Sequence, residues 1–205
     1  MINNLSANIK ASYMSKDLSK EKHKLRLLWK EKRKKISLNS NEEHEKFFIK
    51  NFKKAVGNFR NKTIAGYNPI NHEVNCLHLL NFASKKGSKI ALPYTNKNKI
   101  LEFREWNLDD PLKKDKLGIL SPSSKKIVIP DVIIIPLLCF DLNGTRLGMG
   151  LGIYDRSLPF YGLSDKYGLA FSDQKTKKLI KEEHDFLIDG VITEKNFLSF
   201  ERKKN

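Results

Sequence analysis

The stretch RLGMGLGIYDR, from Arg146 to Arg156, is where residue types and spacing could do chemistry. Gly148, Gly150 and Gly152 stand at alternate positions, so backbone N–H groups can approach an anion without interference from a Cβ. Arg146 and Arg156 bracket the loop and can offer forked donors to phosphate oxygens. A helix starting near Tyr154 would add a favourable dipole for phosphate. Two common nucleotide templates fail. A Walker A loop needs Gly-Lys-Ser/Thr, which is missing, and a dinucleotide fingerprint needs glycine where Ile153 stands. On glycine spacing alone, a turn that merely lets two elements pack competes evenly with an anion cradle. Arg146, Asp155 and Arg156 at fixed offsets favour the cradle, because a packing turn needs no such charges.

The elements that must position this loop alternate between helical and strand rhythm. A helix is expected from about Leu18 through KEKHKLRLLWKEKRKKIS, with Leu25, Leu28, Trp29 and Ile36 as its buried stripe. Lys22, Arg26 and Arg33 fall within about 40° of one another and border that stripe. Asn39 or Ser40 could cap a second helix, Asn41 to about Val56. Thr63–Tyr67 reads as a strand, the loop Asn68–His72 follows, and Glu73 is expected to open a helix ended by Gly87. Lys89–Leu92, Ile100–Trp106 and Ile127–Ile129 read as strands. Val132–Leu138 is almost wholly apolar, the pattern of a strand covered on both faces. Tyr167–Phe171 and Gly190–Thr193 supply two more. Such alternation predicts an α/β fold with a mostly parallel sheet and helices on both faces. Ligands of such sheets bind where loops leave the carboxyl ends of the strands, and the glycine loop follows one. One domain is expected over residues 18–200, after a flexible extension at 1–17.

Composition narrows the classes. The chain has 205 residues, 40% hydrophobic and 30% charged, which suits one sizeable core. The longest apolar run, Val132–Phe140, is broken by Pro136 and is too short to span a membrane. Cys76 and Cys139 both sit in apolar patterns, so reduced buried thiols in a cytoplasmic protein are expected. The first residues lack the apolar core of a secretory leader; their Ser and Lys leave an organelle-targeting segment open. The net charge of +16 raises the question of nucleic acid. Lysines are spread along the whole chain, however, and the aromatics lie in apolar patterns, so a solvated basic surface is the favoured reading. No His-Glu-x-x-His or comparable set occurs, and His184 beside Asp185 is read as an ordinary surface or core residue.

RLGMGLGIYDR, preceded by PLLCFDLNG, resembles the signature of the 5-formyltetrahydrofolate cyclo-ligase family. The resemblance extends from KHKLR through YNPINHEV (from Tyr67) to YGLAFSDQ and EHDFLIDGVITE, ending at Glu194, with the blocks in the family's order. It implies a single three-layer α/β/α domain that binds ATP and a reduced folate side by side. The implied reaction moves the γ-phosphoryl group of ATP to the formyl oxygen of 5-formyltetrahydrofolate. Attack by folate N10 then closes the ring and expels phosphate, giving 5,10-methenyltetrahydrofolate and ADP. Such chemistry calls for cations, backbone donors and a metal rather than a protein nucleophile.

The resemblance also implies roles. Lys22 and Arg26 would contact ATP phosphates, and the ATP loop would run through Arg146, Leu147, Gly148, Met149, Gly150, Leu151, Gly152, Ile153 and Tyr154. The part from Met149 to Ile153 would also line the folate site, with Asn68 and Glu73. Arg146, Tyr154 and Asp155 would form the catalytic set, and Asp155 and Asp185 would hold Mg2+. Read without the resemblance, Glu73 is equally a first-turn carboxylate favoured by a helix dipole. The sequence departs from the family where two adjacent tyrosines are common, since Ile153 precedes Tyr154. Met149, Leu151 and Leu117 depart too, all toward the folate side. A monomer is expected. Two alternatives stand beside the cyclo-ligase reading: a diverged relative acting on another phosphorylated or nucleotide-bound substrate, and a basic nucleic-acid-binding protein.

Overall fold

The computed structural model describes residues 2–200, with side chains from residue 18 onward. Helix α1 (Ile2–Leu38) precedes α2 (Glu42–Val56), strand β1 (Thr63–Ala65), α3 (Cys76–Lys85), β2 (Lys89–Thr95) and β3 (Leu101–Glu105). A hairpin of β4 (Leu112–Lys114) and β5 (Leu120–Pro122) leads to β6 (Val132–Pro136). A second hairpin, β7 (Cys139–Phe140) and β8 (Arg146–Leu147), is followed by α4 (Ile153–Ser157), β9 (Asp165–Leu169), β10 (Gly190–Ile192) and β11 (Phe197–Ser199). The segment expected as an extension continues α1 in its backbone, and its side chains lie outside the described residues.

Seven strands form one sheet in the order β11-β10-β9-β6-β1-β2-β3. The five inner strands are parallel, and only β3 and β11 run antiparallel, one at each edge. The chain winds outward in two directions, from β1 through α3 to β2 and from β6 to β9 and β10. The order therefore reverses between β1 and β6, which opens a crevice at their carboxyl ends. β6 explains why the sheet is buried on both sides. Val132 and Ile134 enter one core with Phe48, Phe52, Leu79 and Leu80 of α2 and α3. Ile133 and Ile135 enter the other with Phe103, Phe140, Leu158 and Val191. The second face is covered by α4, the turn after it and the β7–β8 hairpin, a thinner layer than the paired helices opposite.

Several boundaries differ from the sequence reading. Asn41 caps α2, its side chain accepting the His44 N–H at 3.2 Å. Asn75 rather than Glu73 starts α3, with its Oδ1 accepting the Leu77 N–H at 3.1 Å. Glu73 thus lies before the helix and gains no first-turn role. β2 passes through Pro93, and the 127–129 segment pairs with β3 only through a single bridge between Arg104 and Ile127. Both cysteines are free and buried, and burial pushes both thiols up to about 12. Among the described residues, no helix is long and apolar enough to cross a membrane.

The expected face of α1 is also corrected. Leu28 is half exposed, whereas Lys22 is 6% and Arg33 1% exposed, with Trp29 between them. At about 100° per residue, Lys22, Arg26, Trp29, Arg33 and Ile36 occupy one arc of about 80°. The cationic row does not border the buried stripe; it is the buried stripe.

Gly66, directly after β1, fixes how closely α3 approaches the crevice. A Cβ there would sit 2.6 Å from the Cys76 sulfur and 2.9 Å from Leu80 Cδ1. Gly66→Ala is expected to lower stability by about 1–3 kcal/mol through overpacking. Thermal denaturation should register this as a midpoint lower by roughly 2–12 °C.

Candidate functional site

A cavity of about 650 Å³ occupies the crevice between β1 and β6. Tyr67 and Asn68 after β1, Pro93 and Thr95 of β2, and Pro136 and Leu137 at the end of β6 form its floor. The glycine loop from Gly148 to Gly152 closes one side, and α1 presents Lys22, Arg26 and Arg33 along another. Of the residues singled out from sequence, Lys22, Arg26, Asn68, Glu73, Arg146–Asp155 and Asp185 line this one cavity, and Arg156 does not.

The cations are held by oxygens. Lys22 Nζ donates to Glu182 Oε2 at 2.5 Å and Asp185 Oδ2 at 2.6 Å. Arg26 Nε donates to the Gly148 carbonyl at 3.1 Å. Arg33 donates to the carbonyls of Leu137 at 3.1 Å and Asn71 at 2.8 Å, and lies 3.5 Å from Glu73 Oε1. Arg146 donates to the Phe186 carbonyl and, at 2.7 Å, to Asp155 Oδ1, which also accepts the Phe186 N–H at 3.1 Å. The Asp155 and Asp185 segments are thereby tied together through the residue next to Asp185, although 30 positions separate the two aspartates.

The loop geometry follows from the same contacts. Gly150 has φ +99°, and a Cβ there would meet the Arg26 guanidinium at 3.1 Å. Glycine thus serves both the left-handed backbone and the close approach of a cation. α4 begins at Ile153 as expected but is only five residues long, so its dipole adds little and the arginines carry most of the positive field. Arg156 does not face the cavity; it turns outward to the Leu151 carbonyl at 2.9 Å.

The lining also includes apolar side chains, Pro93, Leu101, Leu117, Ile119 and Ile153. The β4–β5 hairpin supplies Leu117 and Ile119, and Asp115 pins both by accepting their N–H groups at 2.8 and 3.0 Å. Glu73 lies beside Arg33 of α1 with its side chain buried. Burial raises its carboxyl above the ordinary range, against the Ile70 N–H and Arg33, which pull it down. Burial likewise raises the Tyr154 and Tyr67 hydroxyls, so both remain protonated donors. Burial alone would raise Asp185, but the Glu182 N–H and Lys22 outweigh it and hold the carboxyl below the usual carboxylate range.

Sequence reasoning missed Glu182, which shares Lys22 with Asp185. It also set His184 aside, whereas the ligand atoms of Glu182, His184 and Asp185 lie within 4.8 Å of one another at the cavity rim. The EEHD run was visible, but only the tertiary position of Lys22 shows which of its acids turn inward.

The 5-formyltetrahydrofolate cyclo-ligase family model matches residues 18–194. The chain belongs to that family. It is 31% identical to the 5-formyltetrahydrofolate cyclo-ligase of Escherichia coli K12 over 140 residues, covering 64% of this chain and 77% of the relative. The Haemophilus influenzae cyclo-ligase is 29% identical over 140 residues, 64% of this chain and 75% of that one. The solved structure of Aquifex aeolicus 5,10-methenyltetrahydrofolate synthetase superposes with a TM-score of 0.71 at 28% identity, covering 88% of this chain and 95% of that one. The Mycoplasma pneumoniae synthetase, at 24% identity and TM-score 0.63, shares the fold over 84% and 98% of the two chains. The cyclo-ligase signature and the cavity therefore coincide, since every block that carries the resemblance contributes to the crevice or to a strand beside it.

The Lys22–Asp185 contact gives a pH-dependent expectation. Because the folded-state carboxyl is depressed, its contribution is present above the unfolded pKa and is lost as pH falls through the folded one. Lys22→Met should therefore be less stable than the parent near pH 7. The gap should narrow below about pH 4, where an unfolded aspartate takes up its proton. Denaturation midpoints of both proteins at the two pH values measure this.

Proposed function

We propose that this cavity carries out the ATP-dependent closure of 5-formyltetrahydrofolate to 5,10-methenyltetrahydrofolate. The observation that carries the reading is the cavity's division. One part of the lining gathers Lys22, Arg26, Arg146 and a glycine loop, and the rest includes apolar side chains and a buried carboxylate, Glu73. The first part suits a polyphosphate, because guanidinium forks and backbone donors match its oxygens. The second suits a flat heterocycle, with Asn68 and Glu73 available to its N–H and oxygen groups.

The chemistry follows from what these walls can do. The formyl oxygen attacks the γ-phosphorus while the bond to the β-phosphate oxygen breaks, and ADP takes that electron pair. Folate N10 then attacks the activated formyl carbon and loses its proton. The former formyl oxygen departs within phosphate. Arg146 and Lys22 are placed to offset charge on the transferring group, and the loop orients it against the folate. Tyr154, a protonated donor beside Glu73, would orient the acceptor. No protein nucleophile is required, and neither thiol can supply one.

The residues expected to bind magnesium fit a hard cation. Asp155 Oδ2 and Asp185 Oδ1 have no hydrogen-bond partner among the described residues, because each carboxylate commits only its other oxygen. Hard oxygen donors of this kind suit Mg2+. When bound at Asp155 and Asp185, the ion would offset phosphate charge.

Purified protein with 5-formyltetrahydrofolate, ATP and magnesium should develop the near-ultraviolet absorbance of the conjugated methenyl product, and only when ATP is present. A flat trace in the complete mixture would overturn the reading. Asp155→Asn should reduce turnover by about 10²–10³. Gly150→Val should lose ATP binding in nucleotide titrations, since valine would have to adopt φ +99° against Arg26. Ile153→Tyr should keep ATP binding and change only the folate KM, by an amount near 1 kcal/mol.

A further inference from the structure

Arg33 belongs to no motif that carries the resemblance, and it contacts neither the glycine loop nor the acidic rim in any hydrogen bond. It is nevertheless 1% exposed and spends its donors on two separate pieces of the site. One is the Leu137 carbonyl, just past β6. The other is the Asn71 carbonyl, in the loop that presents Asn68 and Glu73. That loop is unusual, since Asn71 and His72 are consecutive non-glycine residues at φ +51° and +65°. Such a pair persists only where surroundings over-determine it. The restraint comes from one helix. Arg33 takes the Asn71 carbonyl and stands 3.5 Å from Glu73, while Ser37 Oγ, one turn later, lies 3.2 Å from His72 Nδ1. Glu73 Oε2 in turn accepts the Ile70 N–H at 3.0 Å, closing the loop on itself.

We propose that Arg33 is a positioning residue for the folate wall. It clamps the left-handed Asn71–His72 turn against α1, so that Glu73 faces the cavity in fixed register with Lys22 and Arg26 on the same helix face. The proposal rests on the reading that Glu73 contacts folate. Its consequence is that the two walls are not independent. The helix that would bind the polyphosphate through Lys22 and Arg26 holds the folate loop with its last turns.

Charge adds a second signature. The titratable groups nearest Glu73 are Arg33 from α1, Tyr67 after β1, Cys76 at the start of α3 and Tyr154 from α4, and Glu42, His44 and Glu45 of α2 and His78 of α3 line a second cavity that Glu73 borders. The hydroxyls and the thiol are held neutral by burial, and His72, next in the chain, faces Ser37. Arg33 is thus the charged group that favours the Glu73 carboxylate, and removing it should move the acid limb of folate kcat/KM toward higher pH.

The test compares Arg33→Met, Arg33→Lys and Glu73→Gln in steady-state kinetics between about pH 5 and 9, with a thermal midpoint for each. Arg33→Met should raise the folate KM roughly tenfold while the ATP KM stays within about twofold. Its acid limb should move upward, and Glu73→Gln should abolish that limb. Arg33→Lys, which keeps the charge but cannot reach both carbonyls, should retain the limb and show part of the KM defect. Adding Asn71→Gly, for which a positive φ is inexpensive, should rescue part of that defect. If Arg33→Met and Arg33→Lys lower only the thermal midpoint and leave the folate KM and the limb in place, Arg33 is merely structural and the proposal fails. If Glu73→Gln itself leaves the folate KM unchanged, the assignment of Glu73 to folate fails instead.

Discussion

The structure turns on how one face of α1 is buried. Taking a cation out of water is opposed by several kcal/mol unless oxygens replace the lost hydration. Here Lys22 meets two carboxylates, Arg26 a loop carbonyl, and Arg33 two carbonyls with a carboxylate nearby. Trp29, against Leu138, Cys139, Leu147 and Leu179, and Ile36, against the core under α2 and α3, give this face its apolar anchors. The position of α1 is therefore specified mainly by directional bonds. Each of those bonds ends on a segment that lines the cavity: the acidic rim, the glycine loop, the end of β6 and the loop after β1. Replacing such contacts by apolar packing would often hold a helix as well. Their persistence in this cleft is better understood through what they present to ligands than through stability.

The same arrangement keeps positive charge concentrated without leaving it unpaired. Arg146 is paired with Asp155 and Lys22 with Asp185, so cation and carboxylate are interleaved around the rim. On the proposed reading, a polyphosphate entering this rim would find donors already oriented, and a metal ion accompanying it would find the carboxylates between them. Little reorganisation is then needed when charge develops during phosphoryl transfer. The apolar wall follows a different logic. It is built from side chains of β2, β3 and the β4–β5 hairpin.

Much of this was legible in the sequence. The apolar Val132–Leu138 run, the glycine loop and the strand–helix alternation point to a parallel α/β sheet with a site at its carboxyl ends, and the blocks of family resemblance point to the same residues. What could not be read depends on distance in the chain. Periodicity assigned Leu28 to the buried face of α1 because leucine is apolar. Lys22 and Arg33 take that face because Asp185, Glu182, Leu137 and Asn71 supply oxygens there, and only the fold brings those together. Glu73 was read as opening a helix because a carboxylate fits a first turn, yet Asn75 caps α3 and frees Glu73 for the cavity. The β4–β5 and β7–β8 hairpins and β11 were missed for a simpler reason. Strands of two or three residues carry too few positions for an alternation to show.

Lys22 and its carboxylate partners also have a consequence for the birth of the protein. The partners stand 160 and 163 residues later in the chain. At about 5–20 residues per second, a ribosome makes them roughly 8–30 s after Lys22 itself. During that interval Lys22 lacks both of its carboxylate partners, beside a sheet that already has most of its strands. The nascent chain can build most of its sheet before its cleft. The segment from Glu182 to Phe186 acts as a late keystone, and only its arrival lets the first helix take its final seat.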